Sequence, residues 1–309
     1  MGLEALVHIR KAISTLNPHQ VREMSERPVR IALYARSHEA YHRMEQFFLQ
    51  DLSPARRSQS ATQLVRAPIA PGQPVDMAVY DYDMVVPPNG LLLPHANTQE
   101  FVCHALAQRP DLGVALARSF VPFRRPFIDR LIAKVCRENA LFSVTTALPD
   151  VIPSIIELPW AIAEFASDTA FLTMNQVRMA FLIAAASDRE VGYAQQKSEI
   201  ATVIGSAFGW RALARQLVGK IPLGGGLIAK AAVSYAGTKV LGLSLERYYR
   251  IGFTFTRPER DRMYWDAFRQ GKRMSLKFLT SIRPELAKRF EKELQEPDRT
   301  IPAVSTHAG

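Results

Sequence analysis

The chain has 309 residues, 48% of them hydrophobic and 22% charged, with 39 Lys+Arg against 29 Asp+Glu and a net charge of +10. So much apolar material excludes a disordered tail protein, and 16 glycines and 20 prolines without a period exclude collagen-like and low-complexity classes. Two cysteines, Cys103 and Cys136, make no disulfide framework and fit a reducing compartment.

In chain order, Leu3, Leu6, Ile9, Ile13 and Leu16 recur at helical spacing, so residues 1–27 read as an amphipathic helix and linker. Glu4, His8, Arg10 and Lys11 interrupt this stretch, which argues against a signal peptide, and Leu6 stands where a myristoylation motif wants Ser or Thr. Residues 28–34 predict a strand and 39–49 a helix; 52–74, rich in Ser, Arg, Gln and Pro, predict a loop. A second strand follows at 75–81, a turn at 87–90, a helix at 99–107, a third strand at 113–117 and a helix at 127–139. Strands alternating with helices over 28–138 predict an α/β domain built on a small parallel sheet. Strand patterning stops after Phe142. Apolar segments at 151–173, 174–187, 200–219 and 221–245, then an amphipathic mixed-charge stretch, predict an all-α helical domain over 139–296. Residues 297–309 read as a disordered tail.

The positive charge is not spread evenly. Residues 1–108 and 138–245 are each net zero, whereas 109–137 and 246–309 each carry +5. Basic flanks around an apolar middle favour an anionic membrane surface over nucleic acid as partner. A membrane span needs about 20 mostly apolar residues. The best candidate is 221–245, but Lys230 and Lys239 lie inside it. A central lysine costs about 2.5–3.5 kcal/mol, while each Leu, Ile or Val returns about 0.3–0.6 kcal/mol. The two lysines stand about 180° apart around a helix and cannot share one wet face. Lys230, Lys239, Asn175 and the acidic trio Glu157, Glu164 and Asp168 are therefore candidate buried polar contacts of the helical domain.

Several motifs suggest chemistry. His38-Glu39-Ala40-Tyr41-His42 matches H-E-x-x-H, which on a helix sets two imidazoles one turn apart for zinc with Glu39 as general base. No third ligand follows in the sequence, so a metal-dependent hydrolase is an alternative reading only. The strand-to-helix passage at 31–42 is also where a P-loop would sit. There Ala35 and Ala40 stand for the glycines, Tyr41 for the lysine and His42 for the Ser/Thr, so every phosphate- and Mg²⁺-binding role is missing. Gly224-Gly225-Gly226 lacks dinucleotide-binding spacing and reads as a helix break. Cys103-His104 has no C-x-x-C context and reads as structural, and no G-x-S-x-G occurs.

At Asn139-Ala-Leu-Phe142 and Thr146-Ala-Leu-Pro149, Met174-Asn-Gln-Val-Arg-Met179, Ile221-Pro-Leu-Gly-Gly225 and Ala232-Val-Ser-Tyr-Ala-Gly-Thr-Lys-Val-Leu-Gly242, the chain resembles the DUF697 family, a domain of unknown function. It also resembles the C-terminal part of YcjF-like inner-membrane proteins, over about residues 139–250. Such domains are found fused to, or encoded with, Era/dynamin-type GTPase domains, which the preceding α/β segment resembles with its P-loop eroded. The resemblance implies a bacterial protein, helical and membrane-associated in its C-terminal half, with no established reaction. The expectation is a non-catalytic interaction or accessory protein at the bacterial cytoplasm or the cytoplasmic face of the inner membrane. No cofactor and no catalytic residue is expected; a protein partner or a second copy of the chain is a further possible partner. A nucleotide-binding GTPase-like protein is the other alternative.

Overall fold

The structure is a computed structural model that describes residues 2–69, 72–146, 168–205, 226–282 and 284–285. Helices α1 (Gly2–Ser14) and α2 (Pro18–Glu26) precede strand β1 (Ile31–Tyr34), helices α3 (His38–Leu49) and α4 (Pro54–Ala61), and strands β2 (Leu64–Arg66), β3 (Met77–Asp81) and β4 (Leu91–Leu93). Next come α5 (Thr98–Gln108), α6 (Gly113–Ser119), α7 (Val121–Thr145) and α8 (Asp168–Ala186). Residues 197–205 are helical (α9), and α10 (Gly226–Ile251) and α11 (Arg257–Ile282) complete the described chain. The layout is the expected one, an α/β unit with a small parallel sheet followed by helices.

All four strands run parallel, in the order β2-β1-β3-β4. Ile31 is paired with Leu64 on one side and Met77 on the other, and Val79 with Leu91. Ile31, Ala32 and Leu33 are wholly buried, as befits a parallel strand covered on both faces. Below the sheet lies an aromatic cluster. Phe48 of α3 packs edge-on against Phe120 at 5.2 Å and stacks on Phe123 of α7 at 6.0 Å. Two helix starts carry a side-chain cap: Ser37 Oγ accepts from Ala40 N at 3.1 Å to open α3, and Asn17 caps α2 ahead of Pro18.

A second core forms where Ile9 and Ile13 of α1, Ile132 and Cys136 of α7, Val177 and Ala180 of α8 and Leu241 of α10 meet. α11 packs along α10 through Tyr264 and Phe268. The expected boundary at 138/139 falls inside α7, which runs unbroken from one core to the other. Phe123 belongs to the sheet core, Ile132 to the helical core, and Phe127 touches both.

Three local expectations need correction. Residues 113–117 are helical, not a strand. All five are buried, and an apolar run covered on every side carries no periodicity to tell helix from strand. The stretch 52–74 contains α4 and β2. Only Ser60 of α4 is buried, and β2 is a three-residue edge strand, so neither leaves a hydrophobic pattern. Strand β4, in the run Leu91-Leu92-Leu93 after the turn, is an addition. Glu157, Glu164, Gly224, Gly225 and the 297–309 tail lie outside the described residues.

Candidate functional site

In a parallel α/β sheet, ligands bind beyond the carboxyl ends of the strands where the strand order reverses. Here that point lies between β1 and β3. Only Ala35, Arg36 and Ser37 connect β1 to α3, too short a loop to wrap a phosphate group. Across the gap Arg43 Nη2 donates to Asp81 Oδ1 at 2.6 Å. Asp81 ends β3 and is 3% exposed. This bond is the main reason the Arg43 guanidinium lies above its ordinary range. The guanidinium also sits 5.3 Å from the Tyr82 ring centre, and Tyr34 stacks on Tyr80 at 4.5 Å. An internal cation thus holds the carboxylate that a nucleotide site would offer to Mg²⁺. The only signal of Arg43 in the sequence is a basic residue on a helix face opposite a carboxylate at a strand end.

The H-E-x-x-H residues form the first turns of α3. His38, Glu39 and His42 are all exposed, and His42 Nε2 lies 2.9 Å from Gln46 Nε2. Among the described residues no group of three or more His, Cys, Asp or Glu side chains is placed to hold a metal ion. Cys103 is half-buried and Cys136 buried, where desolvation pushes its thiol up.

Inside the helical half, a buried polar network joins three helices. Thr238 Oγ1 of α10 accepts from Asn139 Nδ2 of α7 at 2.9 Å and from Gln176 Nε2 of α8 at 3.0 Å. Asn175 Nδ2 donates to Asn139 Oδ1 at 2.9 Å and to Glu138 Oε2 at 3.1 Å. Of the sequence-derived candidates, Asn175 therefore sits in this network. Lys239 Nζ instead reaches Gln270 Oε1 of α11 at 2.6 Å. Lys230 is half-buried on α10, and Asp168 begins α8. Asn139, Gln176 and Thr238 join the network from motifs not expected to make polar contacts. Their signal was available: polar side chains recurring within otherwise apolar helices.

The two basic blocks separate in structure. Most of the first is engaged internally. Arg109 pairs with Asp111, Arg125 with Asp129 and the buried Glu246, and Arg118 with Glu26 and Asp188. Burial, then the neighbouring Arg56, Arg118 and Arg189, push the Arg124 guanidinium below its ordinary range. The second block is different. Arg257, Arg260 and Arg262 are exposed near the loop that links α10 to α11, and Arg250, also exposed, donates its Nε to Glu246 Oε1 at 2.8 Å. The end of α10 presents Tyr248 and Ile251, and the loop presents Phe253, at 40%, 38% and 60% exposure. Its own contacts close the loop. Gly252 takes the left-handed conformation at φ +85° and its N–H donates to Tyr248 O. Thr256 N and Oγ1 both donate to Glu259 Oε2, closing the start of α11. The Arg247 guanidinium lies 4.5 Å from the Phe255 ring centre and 5.9 Å from that of Phe253.

Among the described residues one helix is long and apolar enough to cross a membrane, at Thr169–Ala186, and 89% of that window is buried inside the protein. The described part of the favoured 221–245 segment lies in α10, where Ala231, Ala232 and Ala236 are wholly buried. No family model, curated protein or solved structure matches the chain.

Proposed function

We propose that the protein is a non-catalytic accessory of an anionic membrane surface, attached through the loop between α10 and α11. The observation that carries this reading is the set of exposed Tyr248, Ile251 and Phe253 at the end of α10 and in the loop, with exposed Arg250, Arg257, Arg260 and Arg262 close by in the chain. Apolar side chains that reach the acyl boundary contribute about 1.5–3 kcal/mol each when fully buried. Each basic side chain near an anionic bilayer adds about 1 kcal/mol. Aromatic rings with a polar edge favour the headgroup level. The resemblance to DUF697 implies the same setting, at the cytoplasmic face of a bacterial inner membrane, and stands as part of this proposal. A GTPase-like role is less well supported, because Arg43 holds Asp81 and the β1–α3 loop has three residues.

Co-sedimentation with vesicles tests the reading. The full chain is expected to bind vesicles containing phosphatidylglycerol and to bind pure phosphatidylcholine vesicles at least tenfold more weakly. Ile251→Ser/Phe253→Ser is expected to reduce binding to the acidic vesicles at least tenfold with no change in thermal stability, since both side chains are exposed. Unchanged binding by that variant would sink the proposal.

A further inference from the structure

A cleft of about 1340 Å³ opens among the described residues between α1, α2, α6, α7 and α8. Clefts for drug-sized ligands run to roughly 300–1,000 Å³, so this one suits a longer, two-chained molecule. Its floor is apolar, formed in part by Phe127 and Leu131 of α7 and Met174 and Leu182 of α8. Its charged lining among the described residues is Lys11, Arg130, Lys134, Arg178, Asp111 and Glu138. Lys11 of α1 and Lys134 of α7 are exposed. Arg130 is tied by Nη2 to Cys103 O at 2.6 Å, and Lys134 lies 3.9 Å from Glu138.

Among the described residues of the lining, one buried side-chain polar atom lacks a hydrogen-bond partner. Asn175 is 1% exposed. Because its Nδ2 already donates to two acceptors, Asn139 Oδ1 and Glu138 Oε2, the amide orientation is fixed. That leaves Asn175 Oδ1 buried without a hydrogen-bond partner. Buried acceptors without a donor are uncommon and call for an explanation. A hydroxyl donor on a bound molecule supplies one.

We propose that this cleft takes one acidic phospholipid with a hydroxylated headgroup, of the phosphatidylglycerol type. Its acyl chains cover Phe127, Leu131, Met174 and Leu182, its phosphate is met by Lys11 and Lys134, and a headgroup hydroxyl donates to Asn175 Oδ1. The proposal rests on the membrane reading only for the source of the lipid; the residues involved are different.

The test is a titration of the full chain with phosphatidylglycerol bearing a fluorophore on one acyl chain, delivered from cyclodextrin so that no bilayer is present. Fluorescence is expected to saturate at one lipid per chain. Unlabelled phosphatidylglycerol should displace the probe at least tenfold better than phosphatidylcholine. Lys11→Glu/Lys134→Glu should weaken binding at least tenfold at unchanged thermal stability, because both residues are exposed. Ile251→Ser/Phe253→Ser should bind the probe as the parent does, so failure of the loop and failure of the cleft are separable. No saturation, equal displacement by phosphatidylcholine, or full affinity in the charge-reversed variant would each overturn the proposal. Displacement by an acidic amphipathic peptide and not by phosphatidylglycerol would overturn it too, assigning the cleft to a protein helix.

Discussion

Single side chains carry the sharpest consequences. Asp81 is nearly inaccessible and its charge is met by Arg43, itself about a third exposed. Removing one partner of a buried ion pair costs about 3–5 kcal/mol, and the exposure of Arg43 places the expected loss for Arg43→Ala at about 3 kcal/mol or slightly less. Urea denaturation checks it. The same variant leaves Asp81 at the strand end without its guanidinium, so Mg²⁺-dependent nucleotide binding can be sought in it by calorimetry. Thr238 is the shared acceptor of two buried amides. Thr238→Val keeps the shape and strands both donors. With about 1–3 kcal/mol for each unsatisfied group, the expected loss is about 2–6 kcal/mol. Thr238→Ser, which keeps the acceptor, should lose much less. Glu45 and Asp111 are held below the usual carboxylate range mainly by hydrogen bonds from Arg66 and Arg109. Their stabilisation is present above an unfolded pKa near 4 and is lost as pH falls through the depressed folded values.

Elements show which patterns reveal structure. The close contact of α10 with α11 depends on Gly271, where an added Cβ would lie 2.8 Å from Tyr235 Cβ and 3.0 Å from Ala232 Cα. In an open helix Gly→Ala gains about 1 kcal/mol. Here the contact includes backbone, so Gly271→Ala should destabilise by about 1–3 kcal/mol, measured as a lowered midpoint in denaturant. Elements with one buried face or one strong cap were legible in the sequence: α3 behind Ser37, β3 with its alternating burial, and the apolar face of α1. Those without such asymmetry were not. α6 is buried all round, α4 almost nowhere, and β2 is a short edge. The candidate surfaces followed the same logic. The basic character of 246–309 could be counted, but which arginines face solvent depended on the fold. The cleft could not be foreseen at all, because it is assembled from helices separated by more than a hundred residues.

At the scale of the molecule, the net charge of +10 divides into arginines that tie elements together and arginines that reach outward. Only the second kind acts at a distance. Attachment to acidic vesicles should therefore weaken as salt rises from 0.1 to 1 M, where the screening length falls from about 10 Å to about 3 Å. A residual apolar contribution from Ile251 and Phe253 should persist. Salt-independent binding would count against the exposed arginines. The passage of α7 through both cores has a further result. Phe123 cannot leave the sheet core without disturbing the helix that carries Ile132 and Cys136, and Phe127 belongs to neither side alone. Melting one half removes the wall against which the other is built. Calorimetry should accordingly record a single heat-absorption peak rather than two, and a chain cut after residue 138 should aggregate rather than yield a folded fragment.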